Sequence, residues 1–350
     1  MPLPFRPAAP RPRPRAYAGW LLFVAALVLL IVIVGGITRL TESGLSITEW
    51  KPIRGIIPPL NAAEWQAEFD GYKRIPQYAQ YNTGMTLAGF QHIYFWEYLH
   101  RLLARAIGTV LFVVLALFWW RRAIPAGYGR RTVLILALGG LQGVIGWWMV
   151  ASGLVHRTEV SHIRLAIHLL TALLIYGVLI WTALDLFVLA RDPLARPARL
   201  TGMAAVAILI LAFQIMLGAF TAGLRAGYAF ASWPKMGDDW FPAGGWNSGM
   251  TMLQNLVDNP IVVQFVHRWW AWTTAVAVLI VARMAQRAGV KGPAHAIATA
   301  VTLQIILGIA TLMSGVAIPI AVAHQGMAAL LLAALLWGSH AIGLGPAEPR

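Results

Sequence analysis

Eight stretches of about 20 apolar residues run through this chain, and no other feature limits its fold as strongly. They fall at roughly residues 17–38, 92–120, 132–153, 162–189, 201–223, 261–284, 296–316 and 319–342. A helix of that length crosses the hydrocarbon core of a bilayer, where every backbone N–H and C=O must pair within its own segment. Helices satisfy that demand and open sheets do not. The composition agrees, since 59% of the 350 residues are hydrophobic and only 11% are charged, against about 25% charged in ordinary globular domains. The predicted fold is an all-α integral membrane protein of eight transmembrane helices, with the lipid bilayer as its surroundings.

The formal net charge of +14 follows this topology. Basic residues gather at the N-terminus (Arg6, Arg11, Arg13, Arg15) and between segments 2 and 3 (Arg121, Arg122, Arg130, Arg131). They recur between segments 4 and 5 (Arg191, Arg196, Arg199) and between 6 and 7 (Arg283, Arg287, Lys291). The other loops hold most of the acids: Glu42, Glu49, Glu64, Glu68, Asp70, Glu159, Asp238, Asp239 and Asp258. Alternate basic loops place both termini in the cytoplasm, so the charge orients the chain and does not imply a nucleic-acid partner. The head, residues 2–15, is rich in Pro and Arg, lacks the apolar core of a cleavable signal and cannot form an amphipathic transit helix. A bacterial plasma (inner) membrane is the expected location. With no cysteine, the chain has neither disulfide nor thiolate ligand nor CxxCH haem attachment site.

The halves repeat. Residues 34–59 align without a gap on 217–242, matching Gly35, Thr38, Gly44, Trp50 and Pro59 to Gly218, Thr221, Gly227, Trp233 and Pro242. LQGVIGWWMVASG (141–153) matches LQIILGIATLMSG (303–315). Each half has an even number of helices, so the copies point the same way, as two parallel-repeat four-helix bundles about an axis along the membrane normal. The expected division is a disordered basic tail (1–16), an N-terminal half (17–190), a linker (191–200), a C-terminal half (201–343) and a second tail (344–350).

The repeat carries a histidine pattern. His100, in WEYLHR, is answered two segments later by His168; His267, in QFVHR, is answered by His324. All four are expected within about two turns of the outer ends of their helices, beneath the long outer loops 39–90 and 224–260. Paired histidines facing each other across a helix bundle suit the two axial positions of a haem iron. Neither site has the further carboxylate or cysteine that would favour zinc or a di-iron centre. Only the first copy has a carboxylate, Glu97, one turn from His100; the second has Gln264. An intramembrane carboxylate is costly and marks function by default, here proton movement at a haem edge, with an ion pair to Arg101 as the structural counterpart. Arg101 and Arg268 could reach the interface or bind haem propionates, and Arg105 and Arg164 share helix faces with His100 and His168. Gln142, Gln214 and Gln304, each four residues before a glycine, read as close helix packing. His162 is about 240° around its helix from His168 and is expected to be a wet interfacial residue. His92 and His156 belong to outer ends, and His295 and His340 lie towards the cytoplasm.

Taken in order, GGITRLTESGLSITEWKPIRGIIPP, WEYLHRLLAR, HIRLAIH, QFVHR and AHQ resemble the haem A synthase family over nearly the whole chain after the tail. The resemblance implies that His100 and His168 flank the substrate, haem O, that Glu97 is essential to the chemistry, and that His267 and His324 ligate a haem b cofactor. It implies a water-dependent oxidation of one porphyrin methyl to a formyl group by two successive hydroxylations. Haem O synthase as substrate donor, cytochrome oxidase assembly factors and a second copy of the chain are the implied partners. Some members carry cysteine pairs in the outer loops; this chain is similar to the cysteine-free branch, which excludes any mechanism through a loop thiol. Two other readings of the residues are a quinol-linked dihaem b electron carrier and a non-enzymatic haem carrier. The difference between Glu97 and Gln264 disfavours the second, and the family motifs disfavour the first.

Overall fold

The computed structural model describes residues 12–51, 54–155 and 157–344. Among them eight helices are long and apolar enough to span a membrane: α1 (Pro14–Leu40), α4 (Leu87–Trp120), α5 (Gly129–Ala151), α6 (His162–Arg191), α7 (Gly202–Gly223), α9 (Pro260–Arg287), α10 (Lys291–Met313) and α11 (Ile318–Gly343). Three short helices lie in the two long loops: α2 (Ala62–Tyr72), α3 (Pro76–Tyr81) and α8 (Met252–Asp258). The chain is an all-helical, multi-pass membrane protein. Local sequence sets the helix starts. Thr86, Ser161 and Thr201 each accept a bond from a backbone N–H of the first turn, and Pro14 and Pro260 occupy first-turn positions that need no donor. At the far ends of α9 and α10, Gly289 and Gly315 take positive φ (78° and 64°), which a residue with a Cβ adopts at a cost.

The helices form two rings of four. In the first, α1 packs on α4 and α6, and α5 on α6; in the second, α7 packs on α9, and α10 on both α9 and α11. The rings meet through α1 on α11, α6 on α7 and α6 on α11. Leu179, Ala183, Leu186, Val278, Val281 and Leu335 are fully buried in the shared core. In lipid the gain from such burial is packing and not exclusion of water, so small residues that allow close approach matter more than total apolar area. Gly326 of α11 sits against Ile33 of α1, and Gly223 of α7 against His162 of α6.

Polar groups tie the rings together at both ends. At the end carrying the long loops, Arg39 pairs with Glu159 at 2.8 Å and donates to the Ala222 carbonyl at 3.0 Å, while Arg225 pairs with Glu42 and Glu159. Glu42 and Arg225 occupy matching positions of the aligned segments and share a left-handed backbone (φ 57° and 53°). At the opposite end Asp185 of α6 is buried; it accepts from the Ala198 N–H and His340 Nε2, each at 2.9 Å, and pairs with Arg131. Removing one member of such a cluster leaves the others with uncompensated charge or donors. Asp185→Leu is expected to lower stability by about 3 kcal/mol, read as a reduced denaturation midpoint in detergent. An unchanged midpoint would show that the cluster holds nothing together.

Two sequence expectations are adjusted here. The helix α1 begins at Pro14, so residues 14–16 belong to it and not to a tail; the rest of the head, residues 1–11, the end from 345 and His156 lie outside the described residues. The first long loop carries α2 and α3, whose Phe69 and Tyr72 pack with Phe90, Ile93 and Tyr94 of α4 in a second core. That core extends α4 back to Leu87, so His100 lies well beyond two turns from its start, unlike His168, His267 and His324.

Candidate functional site

Each of the four histidines meets a glycine of the preceding long helix. A Cβ added at Gly35 of α1 would lie 3.1 Å from His100 Nε2, and one at Gly146 of α5 would lie 3.0 Å from His168 Cε1. In the second ring a Cβ at Gly218 of α7 would lie 3.1 Å from His267 Cε1, and one at Gly308 of α10 2.9 Å from His324 Cε1. These separations are tighter than ordinary van der Waals contact, so an alanine would push each ring away. His100 and His168 are within electrostatic range of each other, as are His267 and His324. All four keep partial accessibility inside their rings of helices.

The glutamines do more than pack. Gln142 Nε2 lies 3.1 Å from His168 Nδ1 and donates to the His168 carbonyl at 3.0 Å. Gln214 repeats both contacts on His267 at 3.2 and 3.0 Å. Gln304 lies against His324, whose Nδ1 is 3.2 Å from the Gln304 carbonyl oxygen. The spacing of glutamine four residues before glycine was visible in the sequence; that both residues address one histidine on the next long helix was not.

Glu97 is buried, with 3% relative exposure. Its Oε2 accepts from Ser46 Oγ at 2.7 Å and the Ile47 N–H at 2.8 Å, and its Oε1 accepts from Arg101 Nη2 at 2.6 Å. Three of about four acceptor positions are therefore occupied, and the ion pair with Arg101 is present. Gln264 stands in the matching place, also buried, and donates through Nε2 to the Phe230 carbonyl at 3.2 Å. Phe230 aligns with Ile47. Thus the same loop position meets a carboxylate in one half, through its N–H, and an amide in the other, through its C=O.

The arginines have a use that sequence reading did not include. Arg101 donates to the carbonyls of Ile47 and Glu49 at 2.8 and 3.2 Å. Arg268 donates to the matching carbonyls of Phe230 and Ser232 at 2.9 and 2.8 Å, and to Lys235 at 3.2 Å. Each clamps the start of its long loop to the helix that carries the preceding histidine. Arg105 donates to the Lys51 carbonyl at 3.0 Å in the same loop. Arg164 donates to the Trp148 carbonyl at 2.8 Å and lies over the Trp148 ring, 4.5 Å from its centroid. His162 is not wet: it is buried (4% exposed), stacked edge-on against Phe220 and 3.3 Å from Asp258. The structure separates it from the four paired histidines and places it between the two rings.

A family model described as COX15-CtaA, cytochrome oxidase assembly protein, matches residues 18–336, a span that includes all four histidines, Glu97 and both long loops. The chain belongs to this family. Three curated relatives show how close the membership is. A protein of Rhizorhabdus wittichii is 70% identical over 96% of this chain and 97% of its own length. One of Sphingopyxis alaskensis is 54% identical over 96% and 94%, and one of Rhodospirillum centenum 47% identical over 96% and 91%. Each of the three bears the name heme A synthase. Near-complete coverage on both sides means that the family pattern applies to both halves.

Among the described residues no group of three or more His, Cys, Asp or Glu could hold a bare metal ion. Two histidines per half, from different helices, instead fit a group whose iron already has in-plane ligands. The buried, unpaired Oε1 atoms of Gln142, Gln214 and Gln304 fit as well, because each lies in an amide that touches such a histidine. Asp185 was missed in the sequence. Its signal was available: a carboxylate inside an apolar segment calls for a buried partner.

Proposed function

We propose that this chain is a haem A synthase that oxidises one methyl group of haem O to a formyl group, supplying haem A for cytochrome oxidase biogenesis. The observation that carries the division of labour is the matched pair of sites that differ at one ionisable group, Glu97 against Gln264. His100 and His168 take the substrate iron, and Glu97 serves the reacting side. His267 and His324 take a haem b, which when bound supplies one-electron steps that carry reducing equivalents away. Each of two hydroxylations adds the oxygen of one water to the methyl carbon and removes two electrons and two protons. The resulting geminal diol loses water to give the formyl group. Within this scheme Glu97 accepts a proton close to the reacting carbon, while Ser46, the Ile47 N–H and Arg101 keep its carboxylate in place. Arg101 and Arg268 hold the loops as covers that exclude bulk water from both sites.

The same reading sets the chain in the bacterial inner membrane as two parallel repeats, with both termini cytoplasmic and the histidines near the outer face. The alternate basic loops and the exchange-symmetric ring contacts (α1 on α11, α7 on α6) support it. Haem O synthase is the proposed donor, cytochrome oxidase assembly factors the receivers, and self-association is compatible with both. The test is co-expression with a haem O synthase in cells lacking haem A, followed by pigment extraction and mass analysis. Haem A is the expected product. Haem O alone, with the chain present and folded, would overturn the assignment.

A further inference from the structure

We propose that Gln142, Gln214 and Gln304 are positioning residues that orient His168, His267 and His324, and that Ile31, standing where a fourth glutamine would be, leaves His100 as the exchangeable ligand. The inference rests on the haem sites proposed above. It begins with spacing: Gly146, Gly218 and Gly308, the residues facing three of the histidines, each follow a glutamine by four positions. Gly35 faces the fourth, and four positions before it stands Ile31, which has no polar atom in its side chain.

Ring orientation follows the same division. Against an added Cβ at their glycines, His168, His267 and His324 all present Cε1 first, at 3.0, 3.1 and 2.9 Å, with Nε2 at 3.9, 3.7 and 3.6 Å. His100 instead presents Nε2 at 3.1 Å and Cδ2 at 3.4 Å. The three rings with a glutamine share one pose, and the ring without one is turned. A histidine that binds iron through Nε2 carries its proton on Nδ1, and an acceptor for that proton fixes the ring and raises its basicity. Gln142 and Gln214 are anchored through Nε2 to the carbonyl of the histidine itself, and their buried Oε1 atoms have no partner. Nε2 of each amide also lies 3.1 and 3.2 Å from Nδ1; iron ligation through the histidine's Nε2 puts a proton on Nδ1, and turning the amide over then sets Oε1 against that Nδ1–H in exchange for the carbonyl bond. His324 Nδ1 already meets the main-chain carbonyl of Gln304, a contact that only a protonated Nδ1 can make, and the Gln304 side chain lies against the same ring with its Nε2 3.5 Å from His324 Nε2.

The asymmetry matches what the two halves must do. A cofactor site retains its haem, with glutamines behind both ligands. A substrate site has to release its product, and there one of two ligands lacks the support. Packing agrees: α9 and α10 are in more extensive contact than α4 and α5.

The test uses the full-length chain purified in detergent with its bound haem, with excess apomyoglobin as haem acceptor. Gln214→Leu is expected to speed loss of the second-half haem about tenfold and to raise its midpoint potential, since the ligand loses basicity. Ile31→Gln is expected to slow release of added haem O from the first half by about the same factor. An unchanged rate and potential in Gln214→Leu would overturn the proposal, and so would an Ile31→Gln chain that releases haem O as fast as the parent. His267→Ala separates the levels of failure. If it too leaves the haem b spectrum intact, the ligand reading itself fails; if it removes that spectrum while Gln214→Leu is silent, only the glutamine role fails.

Discussion

Glu97→Gln is expected to abolish haem A formation, by about a hundredfold or more, while the chain stays folded and keeps its haem. Extracted pigment should shift from haem A to haem O. The substitution copies the second half, where Gln264 fills the same place without ionising. An amide can still accept from Ser46 Oγ and the Ile47 N–H, so the loop keeps two of the bonds that Glu97 makes to it. Arg101 loses its ion pair but retains the Ile47 and Glu49 carbonyls. What is lost cleanly is the capacity to take up a proton. Glu97→Ala removes the bonds as well and should be at least as severe, with added loosening of the loop. Unchanged haem A in Glu97→Gln would reduce the carboxylate to a structural clamp, the role that its three hydrogen bonds already give it.

His267→Ala and His324→Ala should each strip the second half of low-spin haem b, lowering retained haem tenfold or more. Optical and EPR spectra of the purified chain read this directly. Losing one of two axial ligands opens a coordination position and turns a low-spin iron high-spin or free to dissociate. His100→Ala and His168→Ala should leave that low-spin signal in place, because they belong to the other ring of helices. Retention of low-spin haem b in both His267→Ala and His324→Ala would remove those residues as its ligands.

Much of the site could be read along the chain because duplication supplied its own control. A single intramembrane histidine says little, but four that keep the same helix assignments in both halves say a good deal. The carboxylate was equally legible, since Glu97 has a counterpart of nearly the same shape and different charge. The loop helices α2, α3 and α8 were not, as short polar segments carry little periodicity and owe their order to Phe69, Tyr72 and Asn255 packing or bonding onto neighbours. Nor were the arginine clamps. Arg101 follows His100 directly, and its reach to Ile47 and Glu49 depends on where a distant loop returns over the bundle.

By itself the sequence determined eight segments long and apolar enough to span a membrane, an internal repetition and four histidines at matching places within it, because apolar length and internal repetition are properties of the chain in order. Only the tertiary structure decided which side chains those histidines meet. A glycine and a glutamine one helix away shape His168, His267 and His324, and Asp185 finds Arg131 and His340 across the bundle. Such contacts depend on how helices are rotated and set in depth against one another. In lipid that choice is made by close packing and polar pairing, not by exclusion of water, and no single segment contains it.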